Sequence, residues 1–343
     1  MKAPERQGAA GAAAWLGHVR SRVNLKAVDA EARKRVRLIV AGPRRSEFLD
    51  ALAAGGPFAP EAIRAAETLL DLSPSDIEAS RAAVYCPDVD STSGEGREQL
   101  ERTTLRIADL PFPVFVVRTG EASTLDEARL STSPASSKPT PGSVSIYNVS
   151  SMSLPELRKH LLPDIARAYH GNEIALAAAV PAFRPIVAAK LTMDGAMNSL
   201  KIAAVSAIAD HVPVLGFITG SIASAGDTIA ITALQMRMLL RIASAYGKKP
   251  EFARILELLP VVGGGYGWRA LAREASGFIP VAGIPIKAAI AYAGTLVVGQ
   301  AASHYYETGL KMSPNAISAL YREASERAKD FFRHFIGRKE RER

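Results

Sequence analysis

Cysteine is almost absent: Cys86 is the single thiol in 343 residues. That excludes a disulfide framework within the chain and a Cys-rich zinc site. It fits a reducing, cytosol-facing location. Cys86 ends the apolar run AAVYC and reads as an inert core thiol. Histidine is sparse as well, at positions 18, 160, 170, 211, 304 and 334, and no pair has H-E-x-x-H spacing. His304 and Glu307 stand three apart, which is too few ligands for a metal. His211 beside Asp210 is the best pH-sensitive candidate, with a structural role the simpler reading. There is no G-x-S-x-G elbow and no nucleophile–base set. Aromatic residues make up only 6%. Basic stretches therefore lack interleaved rings, and nucleic acid is disfavoured as a partner. The segment AAGAAAWLGHV lacks the compact apolar centre and cleavage pattern of a secretory signal.

What is present is globular: 48% apolar and 22% charged residues, in a length that suits two domains. The net charge is +8 and gathers at the ends. Residues 1–37 carry nine Lys/Arg against three acids, and residues 322–343 carry eight against five. Basic ends point to an anionic partner such as lipid headgroups, or else to solvated tails.

Residues 1–35 read as a basic tail with a helix. Apolar runs then follow at 36–42, 82–86, 113–118 and 143–149. Helical patterns lie between or after them, at 46–54 with 60–70, at 95–108 and at 153–169. Near-continuous apolar strands separated by helices predict a parallel sheet covered on its faces. Residues 119–142, rich in Ser, Thr and Pro, read as a long exposed loop. From about 172 strand signals vanish, so the expected division is an α/β domain over 36–171, a helical domain over 172–312 and a basic helix or tail over 313–343.

The stretch VRLIVAGPRRSEF raises the question of a phosphate loop. Such a loop needs G-x-x-x-x-G-K-[ST], with bare glycine backbone against the phosphates and Lys neutralising charge. Counted from Gly42, Glu47 stands at the second Gly, Phe48 at the Lys and Leu49 at the hydroxyl residue. Aligned from the helix, Ser46 fits and Arg45 replaces Lys, but Arg44 replaces Gly and the loop is about three residues short. The strand PVFVV is followed by Arg118, Thr119, Gly120 and Glu121 rather than Asn-Lys-x-Asp. In strand–helix order, residues 36–170 resemble a truncated Era-type GTPase with every chemical residue altered. The expectation is a domain that neither binds nor hydrolyses nucleotide, with no catalytic residue, metal or cofactor.

In the second half, sixteen uncharged residues separate Asp210 from Asp227. From Ala275 to Ser303 there is one charge, Lys287, in twenty-nine residues. A spanning helix needs about 20 apolar residues. The first stretch is short, and the second is interrupted by Pro280, Gly283 and Pro285, leaving a clean part at 288–306. Gly216, Gly220 and Ser224, and then Ala291, Thr295 and Gly299, recur every fourth residue and would let helices approach closely. Asp227 predicts a helix start and Gly247 its end. Within that helix Thr228, Thr232 and Gln235 share one face, and Arg237, Arg241 and Ser244 the opposite one. Two arginines mid-helix oppose spanning lipid.

Asp227, Arg237-Met238 and Tyr246-Gly247, then Pro280, Gly283, Thr295, Gly299, Tyr305 and Gly309, resemble in order the C-terminal domain of YcjF-type bacterial inner-membrane proteins. The resemblance covers roughly 195–310. This domain of unknown function is also found behind Era-like GTPases. The resemblance implies a helical, membrane-associated domain on the cytoplasmic face of the inner membrane, without established catalysis. The leading expectation is a non-catalytic adaptor contacting anionic lipid and a protein partner. The alternatives are an atypical Era- or dynamin-like GTPase and a soluble homo-oligomeric scaffold.

Overall fold

The computed structural model describes residues 21–69, 72–88, 110–119, 139–209, 213–262 and 284–341. Several expectations fall outside the described residues: the tail to residue 20, the helix at 95–108, most of the loop at 119–142, and Asp210, His211, Pro280 and Gly283. The surroundings of Gly216, Gly220, Ser224, Asp227, Thr228, Lys287 and His334 lie outside them too. The chain divides into two compact units. One is Ala30–Val187 with Ser244–Lys248; the other comprises Met1–Asp29, Ala188–Ala243 and Lys249–Arg343.

The described chain begins with helix α1 (Leu25–Ala32) and enters strand β1 (Arg37–Ala41). Helix α2 (Arg45–Ala53), strand β2 (Ile63–Ala66), helix α3 (Pro74–Ala79) and strand β3 (Ser80–Tyr85) follow. Strands β4 (Val114–Thr119) and β5 (Val144–Val149) complete a five-stranded sheet in the order β2-β1-β3-β4-β5. Every neighbouring pair is parallel. Successive side chains of a strand point to opposite faces. Ile39 and Ala41 join Ala83, Val114, Val116 and Val144 in one apolar cluster. Leu38, Val40, Val84 and Phe115, on the other face, are equally inaccessible. Burial on both faces is what the continuous apolar runs require.

The structure departs from two local expectations and adds one helix. The stretch 60–70, expected as helix, contains edge strand β2, because pairing with β1 outweighs the helix preference of its alanines. The stretch 153–169 is two helices, α4 (Leu154–His160) and α5 (Leu162–Ala168), with Pro163 in the first turn of the second. Helix α3 was not anticipated. It is started by Ser73, whose hydroxyl accepts the Asp76 N–H while the Asp76 carboxylate accepts the Ser73 N–H, a reciprocal capping box. Helix α6 (Glu173–Ala179) closes the series.

Helices α7 (Arg184–Ala209), α8 (Pro213–Ala245), α9 (Phe252–Val262), α10 (Ile284–Thr308) and α11 (Pro314–Arg341) make up the rest of the described chain. Asp227 does not start a helix. Helix α8 begins at Pro213, where a missing N–H is harmless, and runs unbroken through position 227. The short apolar stretch and the motif-bearing helix are thus one element. Gly247, at φ +76°, does end it, its N–H bonding to Ser244 O at 2.9 Å. Gly309, at φ +74°, ends α10 in the same way on Tyr305 O. Leu200, Tyr292, Leu296, Val297, Ile317 and Tyr321 pack α7, α10 and α11 into one apolar cluster. Among the described residues no helix is long and apolar enough to cross a membrane. The molecule is therefore a parallel α/β sheet unit with flanking helices, together with a helical unit.

Candidate functional site

In open parallel sheets the crevice for a ligand lies beyond the C-terminal ends of the strands, where the winding reverses; for the order 2-1-3-4-5 that is between β1 and β3. Gly42, Cys86 and Thr119 occupy this edge. Gly42 has φ +105°, and a Cβ added to it would stand 2.3 Å from Cys86 O. Only glycine satisfies both conditions.

The loop after β1 is fastened down through its own amides. Gly42 N–H donates to Glu67 O at 3.1 Å, Arg44 N–H to Cys86 O at 3.2 Å, and Arg45 N–H to Gly42 O at 3.2 Å. Pro43 has no amide to give. A phosphate cradle works by aiming such amides at the anion. Here they are already satisfied by carbonyls.

The side chains close the same place. Arg44 forks onto Glu47 with Nε and Nη2 at 2.7 and 2.5 Å, and its Nη1 donates to the Thr119 hydroxyl. The hydrogen bond from Arg44 holds the Glu47 carboxyl below its usual range. Arg45 turns back to Gly42 O at 3.1 Å and lies 3.6 Å from the Glu67 carboxylate. Arg44 and Arg45 therefore each face a carboxylate of their own chain. Cys86 is fully buried, and desolvation pushes its thiol up to about 12, so it is no nucleophile at neutral pH.

The described residues of the second-half motif serve local packing within their own unit. Met238 is buried with its sulfur against the backbone of Gly195, where an added Cβ would stand 2.5 Å away. Thr295 is inaccessible; its hydroxyl donates to Ala291 O at 2.8 Å, shares a second 2.8 Å hydrogen bond with the Ser199 hydroxyl, and accepts from Gln235 Nε2 at 3.0 Å. Gly299 lies against Thr192. The fourfold spacing Ala291, Thr295, Gly299 is thus a helix-contact stripe with a polar knot. Tyr246 and Gly247 belong to the other unit, where the Arg184 guanidinium stands 6.0 Å from the Tyr246 ring centre. Arg237 is exposed. Among the described residues there is no group of three or more His, Cys, Asp or Glu able to hold a metal.

Sequence reading missed one charged cluster. Asp76 is buried between Arg37 at 2.6 Å and Arg64 at 3.4 Å. The capping pattern from Ser73 to Asp76 could have signalled the cap, but not the arginines, which arrive from two strands. The Ser73 hydrogen bonds lower the Asp76 carboxyl first, and Arg64 and Arg37 add to it. Asp76→Asn should cost about 1–3 kcal/mol at neutral pH, since it removes a charged acceptor from three partners. The carboxyl is depressed in the folded state, so its contribution is complete above the ordinary carboxylate range. It is lost as pH falls through the folded-state value. Denaturant unfolding of both proteins across pH tests this: the gap between them should close in acid. A gap independent of pH would contradict it.

Comparison with protein-family profiles, curated proteins and solved structures finds no match to this chain.

Proposed function

We propose that the chain is a non-catalytic, membrane-associated adaptor. Its α/β domain is a truncated, GTPase-like domain that takes no nucleotide. Its helical domain, similar to that of YcjF-type proteins, works at the cytoplasmic face of the inner membrane against anionic lipid, and a protein partner engages the α/β domain. No cofactor is required.

The observation that carries this reading is the loop after β1, whose amides at Gly42, Arg44 and Arg45 are all given to carbonyls. A triphosphate arriving there would have to break those bonds, displace Arg44 from Glu47 and tolerate the Glu47 charge. For the membrane half the support is charge placement. Helix α11 buries Ile317, Tyr321, Ala324 and Ala328 and exposes Arg322, Glu323, Glu326 and Arg327. Beyond them the sequence adds Lys329, Arg333, Arg338, Lys339, Arg341 and Arg343 against Asp330, Glu340 and Glu342. Basic segments of this kind gain about 1 kcal/mol per Lys or Arg near an anionic surface.

Co-sedimentation of the purified chain with vesicles tests the membrane half. Vesicles rich in phosphatidylglycerol should carry it down at low salt, and neutral phosphatidylcholine vesicles should carry much less. Equal recovery in the supernatant with both compositions would sink it.

A further inference from the structure

We infer that the α/β unit carries a second site, a basic groove that binds an extended acidic peptide of a protein partner. It lies at the opposite edge of the sheet from the crevice between β1 and β3, where β1 and β3 begin. The cavity measures about 1060 Å³. Its charged lining is Arg33, Lys34, Arg35, Arg37 and Arg81 against Glu61 and Glu78 only.

Two of these cations are held by carbonyls, which leave their charge uncancelled. Arg81 Nη1 donates to Glu78 O at 3.0 Å and Ser80 O at 2.8 Å. Lys34 Nζ donates to Gly171 O at 2.7 Å. Arg37 is committed to a carboxylate, that of Asp76. Arg81 and Lys34 are thereby oriented while their positive charge survives, which favours an acidic ligand.

The rest of the lining selects among anions. Alanines supply most of it, with Val36. Methyl groups offer nothing to a bare phosphate but suit small apolar side chains set between carboxylates. Among the described residues no aromatic ring lines the groove, so they offer no platform on which nucleotide bases could stack. The volume is at the upper limit of small-molecule pockets, about 300–1,000 Å³, and accommodates several residues of chain. The proposal deepens the adaptor reading by naming the partner's chemistry, yet it stands on the groove alone.

Fluorescence anisotropy with the full chain tests it. The probe is a labelled twelve-residue peptide alternating glutamate with alanine; tripolyphosphate and a single-stranded oligonucleotide compete. The peptide should bind saturably and weaken steadily with salt. The double variant Arg35→Glu, Arg81→Glu should weaken it tenfold or more while thermal melting stays unchanged, because Arg81 bonds only to neighbouring backbone carbonyls. Arg44→Ala, at the other edge, should bind the peptide like the parent. Peptide affinity unaffected by the double variant, or an oligonucleotide that binds more tightly than the peptide, would overturn the assignment. Vesicle binding is read separately on the same proteins. Its loss with peptide binding intact would strike the membrane reading and leave the groove standing.

Discussion

Gly42→Ala should destabilise the α/β unit by about 3–5 kcal/mol, a large part of the roughly 5–15 kcal/mol that holds a typical domain. Two costs combine. At φ +105° a Cβ is strained, at about 1–3 kcal/mol. The new methyl would also stand 2.3 Å from Cys86 O and 2.8 Å from its carbonyl carbon, and these are backbone atoms with no rotamer to escape into. Forced backbone shifts of that kind add about 1–3 kcal/mol. Gly171→Ala separates the two terms. Gly171 also has positive φ, at +79°, but an added Cβ meets nothing within 4 Å. Chemical denaturation should therefore rank Gly42→Ala well below Gly171→Ala in stability. Equal losses would mean that the contact with Cys86 does not constrain the loop.

Gly299→Ala should cost the helical unit about 2–3 kcal/mol, because the added Cβ would lie 2.4 Å from Thr192 Oγ1, 2.6 Å from its Cγ2 and 2.9 Å from its Cβ. All three atoms belong to one side chain, so removing it should rescue the change. In a Thr192→Gly background the Gly299→Ala substitution should cost at least about 1 kcal/mol less, a coupling a double-mutant cycle resolves. Gly294 is the control on the same helix. Nothing lies within 4 Å of a Cβ there, so Gly294→Ala should stabilise by up to about 1 kcal/mol. A neutral Gly299→Ala, or a cycle without coupling, would remove α7 and α10 from close contact at this point.

Strands β1, β3 and β4 were legible because they are buried on both faces and so read as near-continuous apolar runs, whereas edge strand β5, partly buried along its middle, showed through its β-branched and aromatic residues. Strand β2 was not. Its pattern Ile-Arg-Ala-Ala exposes the two middle residues and offers helix formers, and only pairing with β1 makes it a strand. The start of α8 was misplaced for a related reason. Asp227 is a fine cap in isolation, but the glycines and serine before it are tolerated inside a long helix. At the candidate crevice, sequence alone identified Arg44, Arg45 and Glu47 as obstacles to a nucleotide. It could not identify the partners of the amides, since Glu67 and Cys86 come from other strands' ends. The basic groove was invisible for the same reason: residues 33–37, 61, 78 and 81 meet only through the sheet.

The account rests on a closed loop after β1, and titration calorimetry of the full chain with GTP and Mg²⁺ reads that directly. It predicts no heat beyond dilution for the parent protein. Saturable micromolar binding, weakened by Ser46→Ala, would contradict it and place a working nucleotide site where the structure pairs Arg44 with Glu47.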